Sequence, residues 1–380
     1  MKILHVTDTF LPRVGGIELH VDDLAVRQQA GGHEVLVLTA ERALARGTTH
    51  RSPSGVRVVR LSTAPGLGVE LGPQLAGFDP DVVHAHLTVG SPFTWSVLRR
   101  TAGVPALATL HSLLPDAPTL VRAGLRVTRL PADRITFTAV SAVAAGRLRA
   151  ALPAGQPVHV LHNGIDPGGW RIRHRPSGAF HVVSVGRLAA RKRPLVLVQA
   201  LAALAGTAPG LSWTATLVGV GDGAQRAKVA TAVRAHGLGD RVRLVGALDR
   251  GAIKALLATA DVFVAPAQLE SFGVAALEAR CAGVPIVGMA GSGLTEFVTD
   301  GVEGLLADRD AELAGCLHRL ASDSALLERM RRHNATYPVP MDWPTVLAEH
   351  ERRYDEARGR TRVLTSNGYE RFSARERRSA

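Results

Sequence analysis

The 380-residue chain is 46% hydrophobic, contains two cysteines, Cys281 and Cys316, and carries a formal net charge of +12. This length exceeds what one hydrophobic core usually organises, so two domains are expected, and the hydrophobic content excludes a chain that is disordered throughout. Two irregularly placed cysteines exclude a disulfide framework or a zinc knuckle, and 4% aromatic residues with dispersed charge argue against a nucleic acid as partner.

Short β-branched runs alternate with helical stretches through most of the chain, a pattern typical of parallel βα units. The strand-like runs of the first half are KILHVT (2–7), EVLVLT (34–39), VRVVRL (56–61), DVVHAH (81–86), PALATLH (105–111), ITFTAVS (135–141) and PVHVLHNG (157–164). Those of the second half are FHVVSVGRL (180–188), TATLVG (214–219), RVRLVG (241–246), DVFVAPA (261–267) and PIVGMA (285–290). The pattern predicts an α/β protein with two doubly wound, Rossmann-like domains and a ligand site in a central cleft between them.

The Gly-, Pro- and Arg-rich stretch NGIDPGGWRIRHRPSGAF (163–180) lacks periodicity and is predicted to link the two domains, 1–167 and 168–341. Residues 358–380 hold seven Arg against two Glu and are predicted to form a basic, disordered tail. The chain opens directly on KILHVT without a basic leader and an apolar signal core, so a soluble, cytoplasmic protein is expected.

FLPRVGGIELH (10–20) joins the end of the first strand to an amphipathic helix through Gly15 and Gly16. Such a turn lets a phosphate approach the backbone at a helix start. A Gly-Gly turn also serves tight βα packing, and this segment alone does not decide between the two interpretations.

SVGRLAARKRP (184–194) places Arg187 and Lys192 in a short loop after a predicted strand. Two cations at the carboxyl end of a strand suit a diphosphate, because arginine offers a planar fork and lysine a movable point charge. The alternative is a solvated basic loop.

QLESFGVAALEARCAGVPIV (268–287) has Glu270 and Glu278 on either side of a turn that opens a helix. The amides of Ser271, Phe272, Gly273 and Val274 at this helix start would attract an anion. Carboxylates beside an anion make sense only if the ligand also carries hydroxyl groups, as the ribose and sugar of a nucleotide-sugar do. The alternative is a plain helix with surface glutamates.

The candidate metal ligands of the sequence are DPD (79–81), DRD (308–310) and His84 with His86, which face one way on a strand. Aspartates in turns and helix caps are common for other reasons. Because Arg187 and Lys192 already supply positive charge, neither a metal ion nor another cofactor is expected.

Together these motifs resemble glycosyltransferase family 4, the retaining nucleotide-sugar enzymes of GT-B fold, over roughly residues 2–357. The most specific matches are the Glu270–Glu278 spacing with Ser-Phe-Gly between them and the Gly-Arg-Leu…Lys spacing that ends at Lys192. The family pattern Gly-Gly-Leu/Ile-Pro-Glu is replaced here by GSGLTE (291–296).

The resemblance implies that the second domain binds the donor and the first domain the acceptor, with 342–357 as a helix that crosses back to the first domain. It implies contacts of Arg187, Lys192 and Gly16 with the diphosphate, of Glu278 with the ribose, and of Glu270 and His111 with the reacting sugar. It also places Glu18, His86 and Asn163 in the region of the acceptor or sugar.

The resemblance predicts transfer of a sugar from a nucleoside-diphosphate sugar, with UDP favoured on base rates, to the hydroxyl of an unidentified acceptor. A nucleotide-sugar-binding regulatory protein and a nucleotide-sugar epimerase are the competing hypotheses. The segment LVRAGLRVTRLPADR (120–134), with four arginines among apolar residues, is either a solvated helix face or a peripheral contact with the inner face of a membrane.

Overall fold

The computed structural model describes residues 1–41, 49–62, 67–128, 130–175 and 178–376. They form two compact units, Met1–Gly164 with Trp343–Ala380, and Ile165–Asp342. The observed division after Gly164 precedes the predicted one after residue 167.

The first unit contains an eight-stranded sheet in the order β3-β4-β2-β1-β5-β6-β7-β8. Its strands are β1 Lys2–Thr7, β2 Glu34–Thr39, β3 Thr49–Arg51, β4 Arg57–Arg60, β5 Val82–Leu87, β6 Ala106–Leu110, β7 Ile135–Ala139 and β8 Val158–Val160. Its first five helices are α1 Gly16–Ala30, α2 Leu67–Phe78, α3 Pro92–Arg100, α4 Pro118–Thr128 and α5 Ala142–Ala151. All neighbouring strands are parallel except β3 and β4. The central strands are buried on both faces, as expected for a parallel sheet covered by helices.

The second unit contains a six-stranded parallel sheet in the order β11-β10-β9-β12-β13-β14. Its strands are β9 Phe180–Val185, β10 Trp213–Val218, β11 Val242–Gly246, β12 Val262–Ala265, β13 Ile286–Met289 and β14 Gly304–Ala307. Its helices are α6 Pro167–Trp170, α7 Pro194–Thr207, α8 Gly223–Ala235, α9 Arg250–Leu257, α10 Val274–Cys281, α11 Leu313–Ser322 and α12 Ser324–Thr336. Its core is mostly aliphatic, with residues such as Val182, Leu201 and Leu317, and it also contains Phe180 and Trp213.

A long helix, α13 Trp343–Glu376, returns to the first unit. Its first turns are anchored there by Trp343, which stacks on His20 with ring centroids 5.7 Å apart, and by Tyr354, which is fully buried. The prediction of a disordered tail from residue 358 differs from this structure, because the helical backbone continues to Glu376. Once packing has formed a helix, each further residue with good helix propensity, such as arginine, adds a hydrogen bond at little cost.

Residues 120–134 begin within α4, where Leu120 and Val127 are 72% and 80% exposed. Arg129 of this segment lies outside the described residues, as do residues 176 and 177 of the predicted linker and residues 377–380 of the tail. Within the described ranges, no helix combines the length and apolar content that crossing a membrane requires.

Candidate functional site

The loops after β9 and β12 hold the candidate anion-binding residues of the second unit. These two strands are neighbours in the sheet, and the chain continues from β9 to β10 on one side and from β12 to β13 on the other. The strand order therefore reverses between them, and in open parallel sheets the crevice at such a reversal is where ligands bind. Arg187 and Lys192 follow β9, and the turn from Glu270 to Gly273 follows β12, so both predicted motifs flank this point.

Lys192 and Glu270, 78 positions apart in sequence, form an ion pair between these two loops. The lysine side chain is 28% exposed and the glutamate side chain 11%. A basic loop fully open to solvent would not hold its lysine against a carboxylate of the neighbouring loop. The pair places a cation and a carboxylate side by side, which is the arrangement that a ligand with both phosphate and hydroxyl groups requires.

Arg193, next to Lys192, has a different role. Its guanidinium forms a bidentate pair with Asp310, whose Oδ1 accepts hydrogen bonds at 2.7 Å from Arg193 Nη1 and at 3.3 Å from Gln268 Nε2. The second aspartate of DRD is thus engaged by a guanidinium. This contact also ties the loop after β9 to the segment after β14.

The turn before α10 is built around Gly273, which caps the helix at φ +94°. A Cβ atom at this position would lie 2.6 Å from Leu294 Cδ2, so both the backbone angle and the space favour glycine. Phe272 is 1% exposed and packs edge-on against Phe297, while Ser271 is 9% exposed and Val274 half-buried. The turn predicted from the sequence is therefore present, with its phenylalanine in the core.

Glu270 and Glu278 are only 8% and 9% exposed. Surface glutamates on a plain helix would be solvated, and carboxylates are rarely buried without a partner or a function. Lys192 is the partner of Glu270. The burial of both carboxylates removes the interpretation as a solvated helix face.

Sequence reasoning did not predict the support that the segment 291–296 gives to this turn. The Gly293 amide donates to Glu270 O at 2.8 Å, and a Cβ at Gly293 would lie 2.1 Å from Ser271 O. Leu294 packs against Gly273. GSGLTE departs from the family pattern but keeps Gly293, which makes this backbone contact. Gly293 is therefore the residue from which the contact could have been predicted.

Gly219 supports the loop after β9 in the same way. Its φ is +141°, and a Cβ there would lie 1.9 Å from Gly186 O, directly before Arg187. The loops after β9 and β10 thus touch through their backbones.

Gly219→Ala is expected to destabilise the second unit by roughly 2 to 4 kcal/mol, because the methyl group meets a backbone oxygen and the φ angle disfavours a side chain. Thermal unfolding measures the effect. Gly223→Ala is the matched control, since Gly223 begins α8 with open space at its Cβ position. Equal melting temperatures for the two variants would contradict the packing argument.

In the first unit, β1 and β5 are neighbours at the corresponding reversal of strand order. The Gly15–Gly16 turn follows β1, and Gly16 is the first residue of α1. A Cβ at Gly15 would lie 2.4 Å from Glu18 Oε2, because the Glu18 carboxylate folds back over the turn. Glu18 is 3% exposed and lies 3.4 Å from Arg13 Nε, so the structure gives it a role in closing the turn.

His111 directly follows β6, at the carboxyl edge of the first sheet, and is 6% exposed. Burial lowers its pKa to about 3, so the ring is neutral at physiological pH. His86 on β5 lies behind it, 1% exposed, with Nδ1 3.0 Å from His111 Nε2 and Nε2 2.9 Å from His5 Nδ1. Both ring nitrogens of His86 thus bond to other histidines, and its assignment to the region of the acceptor or sugar stays a prediction.

Asn163 lies after β8, at the end of the first unit, and is 6% exposed. Its Oδ1 atom is buried with no hydrogen-bond partner. A buried polar oxygen without a partner is costly, so this atom remains a candidate ligand contact.

The aspartates of DPD occupy structural positions. Asp81 Oδ2 accepts a hydrogen bond from the Lys2 amide at 2.7 Å, and Asp79 directly follows α2 with φ +49°. Among the described residues, the ring nitrogens of His5, His84 and His86 lie within 4.8 Å of one another, close enough for a metal ion. Burial lowers the pKa of all three, and each ring already has hydrogen-bond partners.

Comparison with known proteins agrees with this geometry. Residues 14–168 match the model described as Glycosyltransferase Family 4, and residues 171–336 match the model described as Glycosyl transferases group 1. The chain is 30% identical to a glycogen synthase of Mycobacterium tuberculosis, over 91% of this chain and 92% of that protein. It is also 30% identical to a GDP-mannose-dependent alpha-mannosyltransferase of Mycolicibacterium smegmatis, over 95% and 98% of the two chains.

Among solved structures, Anabaena HepE in complex with UDP and glucose superimposes with a TM-score of 0.74 at 21% identity, over 94% of this chain and 100% of that one. At this identity the likeness concerns the fold alone. The family resemblance seen in the motifs is confirmed by the relatives, and the fold by the two parallel-sheet units. The chain is a glycosyltransferase of family 4, with the two Rossmann-like domains of the GT-B fold.

Proposed function

We propose that this glycosyltransferase moves a sugar from a nucleoside-diphosphate sugar to an acceptor hydroxyl, with retention of anomeric configuration and without a metal ion. The observation that carries the proposal is the Lys192–Glu270 ion pair where the strand order reverses between β9 and β12. A relative named for GDP-mannose and a neighbour solved with UDP support a nucleotide-sugar as donor. UDP stays our favoured nucleotide on base rates, and the GDP-mannose relative makes GDP the alternative.

In this proposal the second unit binds the donor. Arg187, Lys192 and the amides from Ser271 to Val274 hold the diphosphate, and Gly16 of the first unit lets a phosphate approach the start of α1. These groups stabilise the charge that the leaving diphosphate gains as the glycosidic bond breaks. Glu278 accepts hydrogen bonds from the ribose hydroxyls.

Glu270 is assigned to the donor sugar, where a carboxylate stabilises the positive charge of an oxocarbenium-like transition state. His111 hydrogen-bonds the reacting sugar through a neutral imidazole. The first unit binds the acceptor, in agreement with the division of roles that the family resemblance implies. The proposal that the anomeric configuration is retained also rests on the family resemblance.

The test is a panel of UDP- and GDP-sugars screened first by thermal shift and then by donor hydrolysis without acceptor. A donor that binds should raise the melting temperature. Slow hydrolysis of that donor is the expected result, since water replaces the missing acceptor. Binding without hydrolysis or transfer would favour a nucleotide-sugar-binding regulatory protein, and an isomeric nucleotide-sugar as product would favour an epimerase.

Glu270→Gln is expected to lower turnover by on the order of a hundredfold or more while donor affinity changes less, because the charge facing the transition state is lost and the size is kept. Steady-state kinetics with the identified donor measure both constants. Glu312→Gln, which neutralises an exposed carboxylate of the same unit, is the control. Near-normal turnover of Glu270→Gln would return Glu270 to a structural role.

Transfer is expected to continue at a nearly unchanged rate in excess EDTA, because the cations that face the diphosphate come from the chain. Rates before and after chelation, and after adding Mn²⁺ or Mg²⁺, measure this. If transfer needs added Mn²⁺ or Mg²⁺, and Asp79→Ala or Asp81→Ala abolishes this metal-dependent activity, DPD binds the ion.

A further inference from the structure

Helix α4 turns apolar side chains outward, where a helix on the surface of a unit ordinarily carries polar ones. On its inner side, Val121 and Leu125 pack against the core of the first unit, and Thr128 is 8% exposed. On its outer side, Leu120 and Val127 are 72% and 80% exposed. They are seven positions apart in sequence, which is about two helical turns, so they lie on the same face of the helix.

Two small residues continue this outer face between the two large ones. Ala123 and Gly124 are exposed as well, so Leu120, Ala123, Gly124 and Val127 form one row, here called the α4 stripe. Single exposed apolar side chains are normal, but a row at positions i, i+3, i+4 and i+7 is the pattern with which a helix buries a face. The α4 stripe therefore has the form of a contact surface, and it is open to solvent.

Hydrogen bonds to the neighbouring helix hold α4 in place. Arg122 Nη2, on α4, donates to Ala150 O of α5 at 2.7 Å. In return, Arg147 Nη1 of α5 donates to Leu114 O, in the loop before α4, at 2.6 Å. The α4 stripe is thus presented by a helix that is fixed on its inner side and along its flank.

The helices around the α4 stripe are strongly basic. Residues 82–165 contain eight arginines, no lysine and two acidic residues, Asp116 and Asp133, so eight positive and two negative charges give this part +6 of the chain's +12. Helices α3, α4 and α5 contribute to one core cluster and therefore cover the same face of the first sheet. Within the described ranges, seven of these arginines have no carboxylate partner: Arg99, Arg100, Arg122, Arg126, Arg134, Arg147 and Arg149.

The combination of an apolar row and unpaired arginines decides which partner fits. A soluble polyanion would pair with the arginines but leave the α4 stripe in water. An apolar protein surface would cover the stripe but would bury guanidinium groups without a counter-charge, which is costly. The surface of a bilayer with anionic lipids meets both requirements, because its acyl chains take up apolar side chains and its phosphates pair with guanidinium groups.

We propose that α4 docks on a membrane surface that contains anionic phospholipids. Leu120 and Val127 enter the boundary between headgroups and acyl chains, and Arg122 and Arg126 contact the phosphates. The helix lies in the plane of the surface, because its 11 residues are too few to span a bilayer. This docking involves none of the residues assigned to the donor, so it stands or falls independently of the proposed function.

The charge contribution is measured by flotation of the full-length protein with lipid vesicles. We expect binding to vesicles of phosphatidylcholine mixed with phosphatidylglycerol, little binding to phosphatidylcholine alone, and weaker binding as the salt concentration rises. Arg126→Glu is expected to weaken binding about tenfold, because an attractive charge becomes a repulsive one. Arg329→Glu, which makes the same change at an exposed position of α12, is the control and should bind nearly as wild type does.

The apolar contribution is measured with Leu120→Ser combined with Val127→Ser, which leaves the charge unchanged. We expect binding to the anionic vesicles to fall tenfold or more, because two large side chains no longer leave water. The melting temperature should stay near that of wild type, since both positions are exposed. Val302→Ser, at an exposed valine of the second unit, is the control and should leave vesicle binding unchanged.

Insertion itself is tested with Leu120→Trp and vesicles whose acyl chains carry bromine, which quenches tryptophan fluorescence on contact. We expect more quenching than in wild type, which supplies the background of its four tryptophans, and no such excess in Val302→Trp. The proposal is overturned if wild type does not bind the anionic vesicles. It is also overturned if the double serine variant binds them as wild type does, or if Leu120→Trp shows no excess quenching. A dimer of wild type that the double serine variant converts to a monomer would make this face an interface between copies instead.

Discussion

Lys192→Ala is expected to weaken the binding of a nucleoside diphosphate by well over tenfold and to lower turnover as well. A charge-assisted bond to a diphosphate in a site with little water contributes roughly 2 to 5 kcal/mol, whereas an exposed loop cation contributes about 0 to 1 kcal/mol. Turnover falls because the leaving diphosphate gains charge in the transition state. The same loss of affinity is expected for Arg187→Ala.

Arg191 provides the matched control, because it is an exposed cation in the same loop. Isothermal titration of UDP and GDP into wild type, Lys192→Ala and Arg191→Ala measures the difference directly. The ion pair adds a second test: removing the lysine leaves Glu270 buried beside the ligand without its cation, so Glu270→Gln should recover part of the affinity lost in Lys192→Ala. Identical binding by all variants would move the diphosphate away from this loop and remove the case for the second unit as donor domain.

Acid is expected to unfold the first unit before the second, with a steep loss of stability as the pH falls below 6.5. Burial lowers the pKa of six histidines in the described part of the first unit: His5, His20, His84, His86, His111 and His350. In the unfolded chain these groups bind protons near 6.5, whereas in the folded unit they stay neutral down to about 4 for His5 and His350 and about 3 for His111. The unfolded state therefore binds more protons, and the stability present above pH 6.5 is lost progressively as the pH falls toward these values.

The effect is large because it is summed over many groups. Each of these histidines lowers the free energy of unfolding by up to about 1.4 kcal/mol for each pH unit of acidification. The total free energy of unfolding of a protein is of the order of 5 to 15 kcal/mol. Hydrogen exchange measured by mass spectrometry between pH 7 and 5 can follow peptides of β1, β5 and β6 against those of β9 and β12. In His350→Leu, the free energy of unfolding should depend less steeply on pH, because one proton fewer is taken up on unfolding. Equal protection of both units at pH 5 would contradict the prediction.

Much of the fold could be predicted from the sequence, since apolar runs such as KILHVT and EVLVLT coincide with β1 and β2 residue for residue. A strand buried on both faces of a sheet needs such an apolar run, so the run by itself predicts the strand. The strands that escaped prediction, β3 and β14, are a polar edge strand of three residues and a strand of four residues. Short strands owe their conformation to their neighbours, and a local pattern carries little of that information.

The candidate site shows the same limit. Its motifs were visible as Gly-Arg-Leu…Lys and Glu…Glu, because a loop at the end of a strand is a local feature. The ion pair between Lys192 and Glu270, the contact of Gly293 with Ser271, and the place of His86 behind His111 join residues distant in sequence. Such contacts depend on strand order, which the sequence pattern left open.

The helix α13 has a consequence for how the chain is made. The first unit consists of Met1–Gly164 and Trp343–Ala380, and its core cluster around Ile3, Phe10 and Val37 includes Tyr354 of that helix. A ribosome releases the chain from its N-terminus, so the whole of 165–342 must emerge before Tyr354 can reach this cluster. Until then the nascent first unit lacks a part of its apolar core and the hydroxyl that bonds to His84. The second unit, although later in sequence, is continuous and is therefore the one that can complete its folding first during synthesis.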